Sequence, residues 1–409
     1  MITISAFAAL RPEVSFAKDV ASLPYDVMSI AEAKEQAQGN PNSFLHITRS
    51  EIDMPNDVDV HSPEVYIKAK ENLAAFISRN ILFVENKPCL YIYELTMQGK
   101  IQTGLVCGSA ISDYENGLIK KHEHTRPEKE QDRIMHIQTT GAQTGNVFIA
   151  YKNVAAIDAV IATCKIDKTP QYNLITDDGI THKIWVINDE DTIALLIQLF
   201  KQNVPATYIA DGHHRAASAA KVSMAKGVDE LTNASIFLTT LFPANQLHIM
   251  DYNRVVKDTN GLSDTDLIKE LSKCFEIALS ETAVKPAAPH QFGLYINKQW
   301  YSLKAKNDII QSDVLGVLDV NIMQHNILTP LLNITDQRTD KRIDFVGGIR
   351  GLAALQNRVD TGEMALAISL YPVSIAQLIA VADSGEVMPP KSTWFEPKLR
   401  DGLLTNLIN

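Results

Sequence analysis

The sequence predicts a mixed α/β protein of the α+β class, because hairpin-forming and helical segments are interspersed along the chain. Alternating apolar residues over 90–95 and 102–111 flank Gln98-Gly99-Lys100 and predict a β-hairpin. An alanine-rich segment over 213–226, followed by Gly227, predicts a helix. With 409 residues, the chain is longer than one hydrophobic core usually organises, so we expect more than one compact unit.

The other elements follow in order, with recognisable boundaries. Ser29 predicts the start of a helix over 30–38. Thr125 and Glu128 form a capping-box pattern, which predicts a helix through about residue 138. Further strands are predicted over 118–124, 147–151, 206–210, 234–241, 291–296 and 364–371, and further helices over 62–80, 189–202, 315–332 and 373–382.

Composition and charge exclude several classes of protein. The formal net charge of −10 argues against binding of long nucleic acids through a basic surface. No apolar run approaches the roughly 20 residues of a membrane helix, and the N-terminus shows no signal-peptide pattern. The four cysteines are far apart and form no Cys-x-x-Cys pair, which favours reduced, buried thiols over a zinc site. We therefore expect a cytoplasmic protein that does not bind membranes.

The segment Asp211-Gly212-His213-His214-Arg215 is the clearest candidate site. It joins a predicted strand to a predicted helix, so backbone amides and the positive helix end meet where a glycine lets a ligand approach. Cations in the first helical turn are unfavourable by roughly 0.3–1 kcal/mol each unless an anion binds there. The pattern predicts a phosphate site. The alternatives are that Asp211 only caps the helix, or that the histidines bind zinc, which their divergent directions disfavour.

A basic cluster in residues 120–133 is the second candidate. Lys129 and Arg133 are four residues apart on the predicted helix, where they could neutralise a phosphate group. Arg126, at the start of that helix, could contact a substrate. The alternative is a solvated helix with ordinary salt bridges.

The predicted strand before this helix carries a histidine pair around an acid. His122 and His124 lie on one face of the strand and Glu123 on the other. Phosphoryl transfer needs a carboxylate within reach of the attacking hydroxyl, so Glu123 is the candidate general base and the histidines are candidate substrate contacts. The alternatives are an exposed strand and a metal-binding histidine pair.

Two further segments are candidates for substrate binding. Ser43, His46 and Arg49 could line a pocket. Lys391 and Ser392, in a proline-braced aromatic segment near the end of the chain, could bind phosphate, although no Walker pattern precedes them. In both segments the alternative is a loop that aromatic side chains anchor to the core.

The motif at residues 211–215, with the alanine helix that follows, resembles the phosphate-binding motif of the ParB/sulfiredoxin-like superfamily. Within that group it is most similar to free serine kinases. The resemblance implies a ParB/sulfiredoxin-like nucleotide-binding core with additional α/β elaborations. Sulfiredoxins have a cysteine in this turn, where this sequence has His213 and His214, and no basic recognition helix follows Gly227. These departures argue against sulfinic acid reductase and chromosome-partition activity.

A second resemblance covers nearly all of the chain. It rests on five segments, 24–27, 40–46, 122–133, 211–215 and 388–399. They are similar to the uncharacterised prokaryotic family called domain of unknown function one thousand and fifteen, whose members are often labelled ParB-like.

Residues and resemblances together imply a nucleotide-dependent phosphotransferase for a small hydroxy amino acid or its phosphate ester. Serine and phosphoserine come first, with the kinase or phosphatase direction open. Residues 211–215 would bind phosphates of ADP or ATP with Mg²⁺ as counter-ion, and Asp211 and His214 are catalytic candidates beside Glu123. Replacing Arg215 is expected to weaken anion binding and leave folding nearly unchanged.

The alternative function is that of a ParB-like nucleotide-binding regulatory or partition-type protein without catalysis. Expected partners are a nucleotide or a small phosphorylated metabolite, and a homo-oligomer is compatible with the sequence. We expect three regions: an N-terminal α/β region (1–115), a central phosphate-binding region (116–260) and a C-terminal α/β region that packs back on the core (261–409).

Overall fold

A computed structural model describes residues 1–227 and 232–408, which form two compact units. The first unit comprises Met1–Lys120, Thr125–Leu247 and the chain from Pro397 to the C-terminus. The second comprises Lys121–His124 and His248–Glu396. The last segment of the chain, from Pro397, is part of the first unit, and the three-region division at residues 115 and 260 stays a prediction.

A mixed sheet forms the centre of the first unit. Across the described residues its strands follow the order Ile119–Lys120, Thr207–Asp211, Val147–Tyr151, Ile236–Pro243, Lys100–Ala110, Leu90–Met97, Thr181–Ile187 and Tyr172–Ile175, with Ile4–Ser5 paired to Lys100–Ala110. Thr207–Asp211, here named the motif strand, runs parallel to Ile119–Lys120 and antiparallel to Val147–Tyr151. Hairpins and parallel pairs in one sheet, combined with many helices, confirm the α+β class.

Helices cover this sheet. Those of the first unit are Ala17–Val20, Ile30–Ala37, Leu45–Thr48, Pro63–Ser78, Ile111–Glu115, Pro127–Thr140, Ala155–Asp167, Glu190–Asn203 and His213–Lys226. We name Pro127–Thr140 the arginine helix and His213–Lys226 the motif helix. The motif helix places Ala216, Ala219 and Ala220 in the same core cluster as the central strands. Small side chains let a helix lie close to a sheet, which explains the alanine-rich sequence.

Short strand pairs and single turns complete the first unit. Leu10–Pro12 pairs with Leu82–Val84, and Ala142–Gln143 pairs with Asn406–Leu407 near the C-terminus. The 3₁₀ turns are Val14–Phe16, Ser50–Asp53 and Ala244–Gln246. The pairing of Asn406–Leu407 shows that the last segment of the chain is part of this unit.

The second unit is built on an antiparallel sheet. Across the described residues its strand order is Phe275–Ser280, Gln299–Ala305, Gln291–Ile296, Leu366–Leu370, Tyr252–Val256 and Ile343–Gly347. Ile249–Met250 and Trp394–Phe395 form a separate pair. Its helices are Asp264–Cys274, Asp319–Met323, Gly351–Asp360 and Ile375–Ser384, with a π-helical segment Gln324–Leu328 and 3₁₀ turns Asn307–Ile309 and Gly348–Arg350.

Several predicted elements are confirmed where local signals were strong. Ser29 caps the helix Ile30–Ala37 in a complete capping box with Glu32. The predicted hairpin is formed by Leu90–Met97 and Lys100–Ala110. The predicted strand over 147–151 and the motif helix have the expected bounds.

Other predicted boundaries are wrong. The capping box at Thr125 does not form, because Arg126 is the N-cap and the Thr125 hydroxyl donates to the Glu130 carboxylate. The strand expected over 118–124 is limited to Ile119–Lys120. The helix expected over 315–332 is replaced by two short segments, Asp319–Met323 and Gln324–Leu328.

The cysteines are unpaired thiols. Cys89, Cys107 and Cys164 are buried and Cys274 is half-buried. Burial raises the pKa of Cys107 to about 12, so this thiol is protonated at neutral pH. Within residues 1–227 and 232–408, no helix combines the length and the apolar character needed to cross a membrane.

Candidate active site

The motif strand and the motif helix meet at a tight turn around Gly212. The strand ends at Asp211 beside a bulge in the sheet, and the helix begins at His213. Gly212 has a φ of 96°, a left-handed conformation that glycine adopts without steric cost. A Cβ atom here would lie 3.1 Å from the guanidinium carbon of Arg215 and 3.4 Å from Cα of Val147. Glycine is therefore required at position 212 for two reasons: its backbone is left-handed, and the Arg215 guanidinium lies too close for a side chain.

The Arg215 side chain is buried beneath this turn, with 7% of the residue exposed. Its Nη1 donates to the carbonyl oxygen of Asn146. Its Nη2 lies 3.5 Å from an oxygen of Asp211 and 3.6 Å from an oxygen of Asp26. Burial opposes the charge on Arg215, but the surrounding carboxylates, Asp401 included, outweigh burial and raise its pKa. The turn therefore contains a permanent cation that several acids compensate.

Asp401 is the deeply buried acid of this group. Its exposure is 2%, whereas the side chains of Asp211 and Asp26 are 28% and 36% exposed. Its backbone pairs with Ser22, but among the described residues neither carboxylate oxygen has a hydrogen-bond partner. Burial raises the pKa of Asp401 to about 7, while Arg215 acts in the opposite direction. Asp401 therefore titrates near neutral pH.

Lys398 supplies a second cation to the motif. Its Nζ lies 3.0 Å from Oδ2 of Asp211, and its side chain is 10% exposed. Arg215 lies against the other oxygen of the same carboxylate. Asp211 therefore lies between two cations. Two cations disfavour protonation of a carboxylate, so Asp211 is better suited to orient Lys398 and Arg215 than to act as a general base.

The arginine helix brings Arg133 to the same region. Its Nε and Nη2 contact one oxygen of Asp132 at 3.0 and 2.8 Å, and its guanidinium carbon lies 4.0 Å from the ring centre of Tyr25. Burial opposes the charge on Arg133, but Tyr25 and Asp132 outweigh it and raise the pKa. The Tyr66 hydroxyl donates to the other oxygen of Asp132 at 2.9 Å. Arg133 is therefore a rigidly held, permanent cation.

Arg133 and Arg215 line one small cavity of about 20 Å³. Other lining residues include Tyr25, Thr144 and His136. This volume holds about one water molecule and is too small for a phosphate group. The two basic clusters of the sequence therefore meet through their arginines. Burial lowers the pKa of His136 to about 3, so its imidazole is neutral in this basic environment.

The other residues singled out in the first unit lie at different depths. Lys129 and Arg126 are exposed, whereas Arg133 is buried on the same helix. His213 is buried and His214 is half-buried in the first turn of the motif helix. The spacing of Lys129 and Arg133 placed both on one helix, but only tertiary packing separates the buried cation from the solvated one.

His46 has protein partners at both ring nitrogens. Nδ1 lies 2.8 Å from Oδ1 of Asp53, and Nε2 lies 3.1 Å from the carbonyl oxygen of Asn40. The hydrogen bond to Asp53 raises the pKa of His46. These contacts stabilise the loop that contains His46. Substrate binding by His46 stays a prediction.

In the second unit, the segment around Glu123 lies beside the loop that precedes Trp394. The His122 carbonyl oxygen accepts from the Met388 amide at 2.8 Å, and His122 Nε2 lies 3.2 Å from the Thr393 hydroxyl. Glu123 and His124 line an open cleft of about 390 Å³. The structure thus brings the predicted 122–124 segment close to the predicted C-terminal segment.

Lys391 and Ser392 belong to this loop. The Ser392 hydroxyl donates to the Pro389 carbonyl oxygen at 2.6 Å, and Lys391 Nζ lies 5.9 Å from the ring centre of Tyr252. These contacts shape the loop; substrate binding by either residue stays a prediction.

Sequence reasoning missed Arg254, a fully buried arginine of the second unit. Its guanidinium donates to the Tyr252 and Pro390 carbonyl oxygens and to Gln337 Oε1, the last at 3.1 Å. Burial lowers its pKa to about 10, while Glu123 acts to raise it. The sequence signal that could have identified it is the position of Arg254 inside a largely apolar strand.

Sequence reasoning also missed Asp26, Lys398 and Asp401 in the first unit. Asp26 lies inside the 24–27 segment that carried the family resemblance. Asp401 follows Arg400 in a charged segment, 396–401, that comes just before Leu403 and Leu404. Their partners are far away in sequence, so no local pattern connects them to the motif.

Fold and site define an α+β protein in which a strand–glycine–helix turn encloses a buried arginine among carboxylates. The chain belongs to the protein family of unknown function DUF1015, which matches residues 4–321. This confirms the resemblance seen in the sequence. Lys398 and Asp401 lie beyond the matched residues. No curated protein matches the chain.

Solved structures similar to the chain include a conserved hypothetical protein from Pyrococcus furiosus, with 15% identity and a TM-score of 0.36 over 74% of this chain and 95% of that one. A free serine kinase in complex with AMP has 11% identity and a TM-score of 0.36 over 73% and 91%. SbnI with a C-terminal truncation, from Staphylococcus aureus, has 10% identity and a TM-score of 0.40 over 73% and 86%. All three are distant similarities.

Proposed function

We propose that the first unit binds nucleotide phosphates at the Gly212 turn and transfers a phosphoryl group between that nucleotide and a small hydroxy amino acid. Serine is the first acceptor to test in the kinase direction, with the nucleotide as phosphoryl donor. Phosphoserine is the first donor to test in the phosphatase direction, with water as the phosphoryl acceptor. The observation that carries the proposal is the buried Arg215 guanidinium beneath the first turn of the motif helix. A guanidinium offers paired donors to phosphate, and the first amides of a helix have no intrahelical acceptors.

The two buried arginines have complementary roles in this proposal. Arg215 holds a phosphate of the nucleotide, with His213 and His214 as further contacts in the same helical turn. Arg133, across the small cavity, stabilises charge on the transferred group. Because the cavity has room for about one water, the phosphates approach from the side where Asp26 and Asp211 are partly exposed.

Asp26 is the general base that the geometry of the first unit favours. Asp211 is held by Lys398 and Arg215, and Asp401 is deeply buried. Asp26 is more accessible, and in the described part of the chain its one ion-pair contact is the 3.6 Å approach to Arg215. A base must reach the attacking hydroxyl within hydrogen-bond distance, which requires such access. The base inferred from the sequence, Glu123, is the competing candidate.

The proposed nucleotide is ADP or ATP, with Mg²⁺ as its counter-ion. Mg²⁺ prefers phosphate and water oxygens and usually enters such sites bound to the nucleotide. A bound Mg²⁺ would supply positive charge to the phosphoryl oxygens, and Arg215 and Arg133 are the protein's own cations for that task.

The test is a phosphoryl-transfer assay on serine, threonine, glycerate and their phosphate esters, with Mg²⁺ and each common nucleotide. The wild type should turn over at least one combination. Asp26→Asn should lower kcat by about 10²- to 10⁴-fold with nucleotide affinity retained, the usual contribution of a general base. Glu128→Gln, which changes an exposed acid of the arginine helix, is the matched control and should keep the wild-type rate.

Two results would change the proposal. A rate lost in Glu123→Gln but kept in Asp26→Asn would return the base to Glu123. Inactivity of the wild type on the whole panel, combined with nucleotide-dependent DNA binding or oligomerisation, would replace the phosphotransferase by the ParB-like regulator.

A further inference from the structure

The charge balance around Arg215 is unusual for a site that binds anions. Three carboxylates, from Asp26, Asp211 and Asp401, surround the Arg215 guanidinium, and Lys398 and Arg133 are the other cations of the group. A bound phosphate would add negative charge to a group whose cations are already matched by carboxylates. The structure must therefore relieve that charge when an anion binds.

Asp401 is the acid least able to tolerate added negative charge, because solvent does not screen it. The charged groups that face it are Arg215 on the motif helix, Asp211 on the motif strand, Asp26 in the loop after Pro24 and Arg133 on the arginine helix. Two of these groups are cations and two are acids. The ionisation of Asp401 therefore depends on whether Arg215 and Arg133 are also bound to another anion.

Arg215 and Asp401 are neighbours without a direct hydrogen bond. A Cβ atom on Gly145 would clash with Cδ of Arg215 at 2.8 Å and would lie in ordinary contact with Oδ1 of Asp401 at 3.8 Å, so both side chains lie beside this glycine and the arginine requires it. Among the described residues, Arg215 Nε and Nη2 and both oxygens of Asp401 have no hydrogen-bond partner. These guanidinium donors are buried as well as unpaired, so an anion reaches them only where the neighbouring side chains of Asp26 and Asp211 move aside. The buried Asp401 carboxylate retains the capacity to carry a proton.

We propose that an anion bound at Arg215 drives a proton onto Asp401, so that occupancy of the site is coupled to pH. The inference rests on the proposed function in one respect, the binding of an anion at Arg215. It adds a regulatory property and a residue that lies outside the matched family region.

The direction of the coupling follows from linkage. Without an anion, burial holds the pKa of Asp401 at about 7, and a neighbouring phosphate raises it further. Binding then takes up a proton, so affinity falls as pH rises between the two pKa values. A rise of one pKa unit corresponds to a loss of affinity of about tenfold across that window.

The experiment is titration calorimetry of ADP and of sulfate in buffers with different ionisation enthalpies, which counts the protons taken up. Sulfate does not titrate near neutral pH, so any proton that is taken up on binding is bound by the protein. The wild type should take up a fraction of a proton at neutral pH. Asp401→Asn should take up fewer protons with sulfate than the wild type, because only the anion-contacting histidines can still gain them, and it should bind up to about tenfold more tightly near pH 8.5. Asp57→Asn, a change of an exposed acid in the same unit, should match the wild type.

The outcomes separate this inference from the proposed function. Equal proton uptake and equal pH slopes in wild type and Asp401→Asn would overturn the coupling and leave anion binding intact. Failure of the wild type to bind either probe would overturn both. If Asp401→Asn does not fold, the wild-type proton count with sulfate decides, because zero uptake refutes the inference.

Discussion

Removal of the Arg215 guanidinium should destabilise the first unit. Arg215→Ala deletes the hydrogen bond to the Asn146 carbonyl oxygen and the 3.5 and 3.6 Å contacts with Asp211 and Asp26. It also leaves the carboxyl group of Asp401 inside the protein without the cation that lowers its pKa most. The sequence alone had suggested that folding would be nearly unchanged.

The magnitude follows from these contacts. A hydrogen bond from a charged group contributes about 1.5–3 kcal/mol. The contacts with the partly exposed Asp26 and Asp211 add at most about 1 kcal/mol each, because solvent screens them. Asp401 can escape much of its penalty by binding a proton. Together with the lost packing, we expect a loss of about 3–5 kcal/mol, the usual result of breaking a buried ion pair.

The assay is urea unfolding followed by tryptophan fluorescence. The chain has three tryptophans, so a Trp300→Phe, Trp394→Phe background leaves Trp185 as the reporter of the first unit. Adding Asp401→Asn to Arg215→Ala should recover about 1 kcal/mol near pH 8, because the buried charge is then absent. Arg79→Ala, an exposed change, should stay within about 0.5 kcal/mol of the wild type.

Two results would refute this reasoning. One is a loss for Arg215→Ala no larger than that for Arg79→Ala, which would mean that the guanidinium is not part of the folded core. The other is an identical loss with and without Asp401→Asn, which would mean that the two residues are not coupled.

Three further predictions use the same background. The raised pKa of Asp401, about 7, means that the first unit should lose stability as pH rises from about 4 to about 7, by on the order of 2–4 kcal/mol. Asp401→Asn should remove most of this dependence in urea titrations across pH, because the pKa of the buried Asp113 is also raised and its contribution has the same sign. The lowered pKa of His136, about 3, means that the free energy of unfolding should fall as pH falls below about 6.5. A His136→Gln variant whose unfolding free energy falls with pH as steeply as that of the wild type would contradict this prediction. Gly212→Ala should lower the free energy of unfolding by at least about 2 kcal/mol more than Gly117→Ala. Both glycines have positive φ, but of the two only Gly212 has an arginine side chain and a backbone carbon within 4 Å of the added Cβ. Equal thermal midpoints for the two variants would exclude this steric argument.

Signals that act over a few residues could be predicted from the sequence. Ser29 and Glu32 cap their helix, glycine allows the hairpin turn at residue 99, and alanines define the motif helix. Each depends on backbone geometry or on contacts within one turn, which the sequence displays directly. Thr125 shows the limit of such reasoning, because its hydroxyl bonds the Glu130 side chain where the pattern predicted a cap.

The candidate site was predicted in part. The turn at Gly212 and the basic character of Arg133 and Arg215 were visible in the sequence, and the structure places both arginines at one cavity. Their burial was not visible, because it depends on how the arginine helix and the motif helix pack. Lys129 illustrates this point, since it is as basic as Arg133 in sequence but is exposed.

By itself, the sequence determined the α+β class, the motif turn and the family of this protein, because these depend on local backbone preferences and on contiguous residues. Only the tertiary structure decided which acids compensate Arg215. Lys398 and Asp211 are 187 positions apart, and Asp401 reaches the motif from the last residues of the chain. Charge compensation and burial depend on distance in space, and a chain that folds back on itself brings together residues that no local pattern relates.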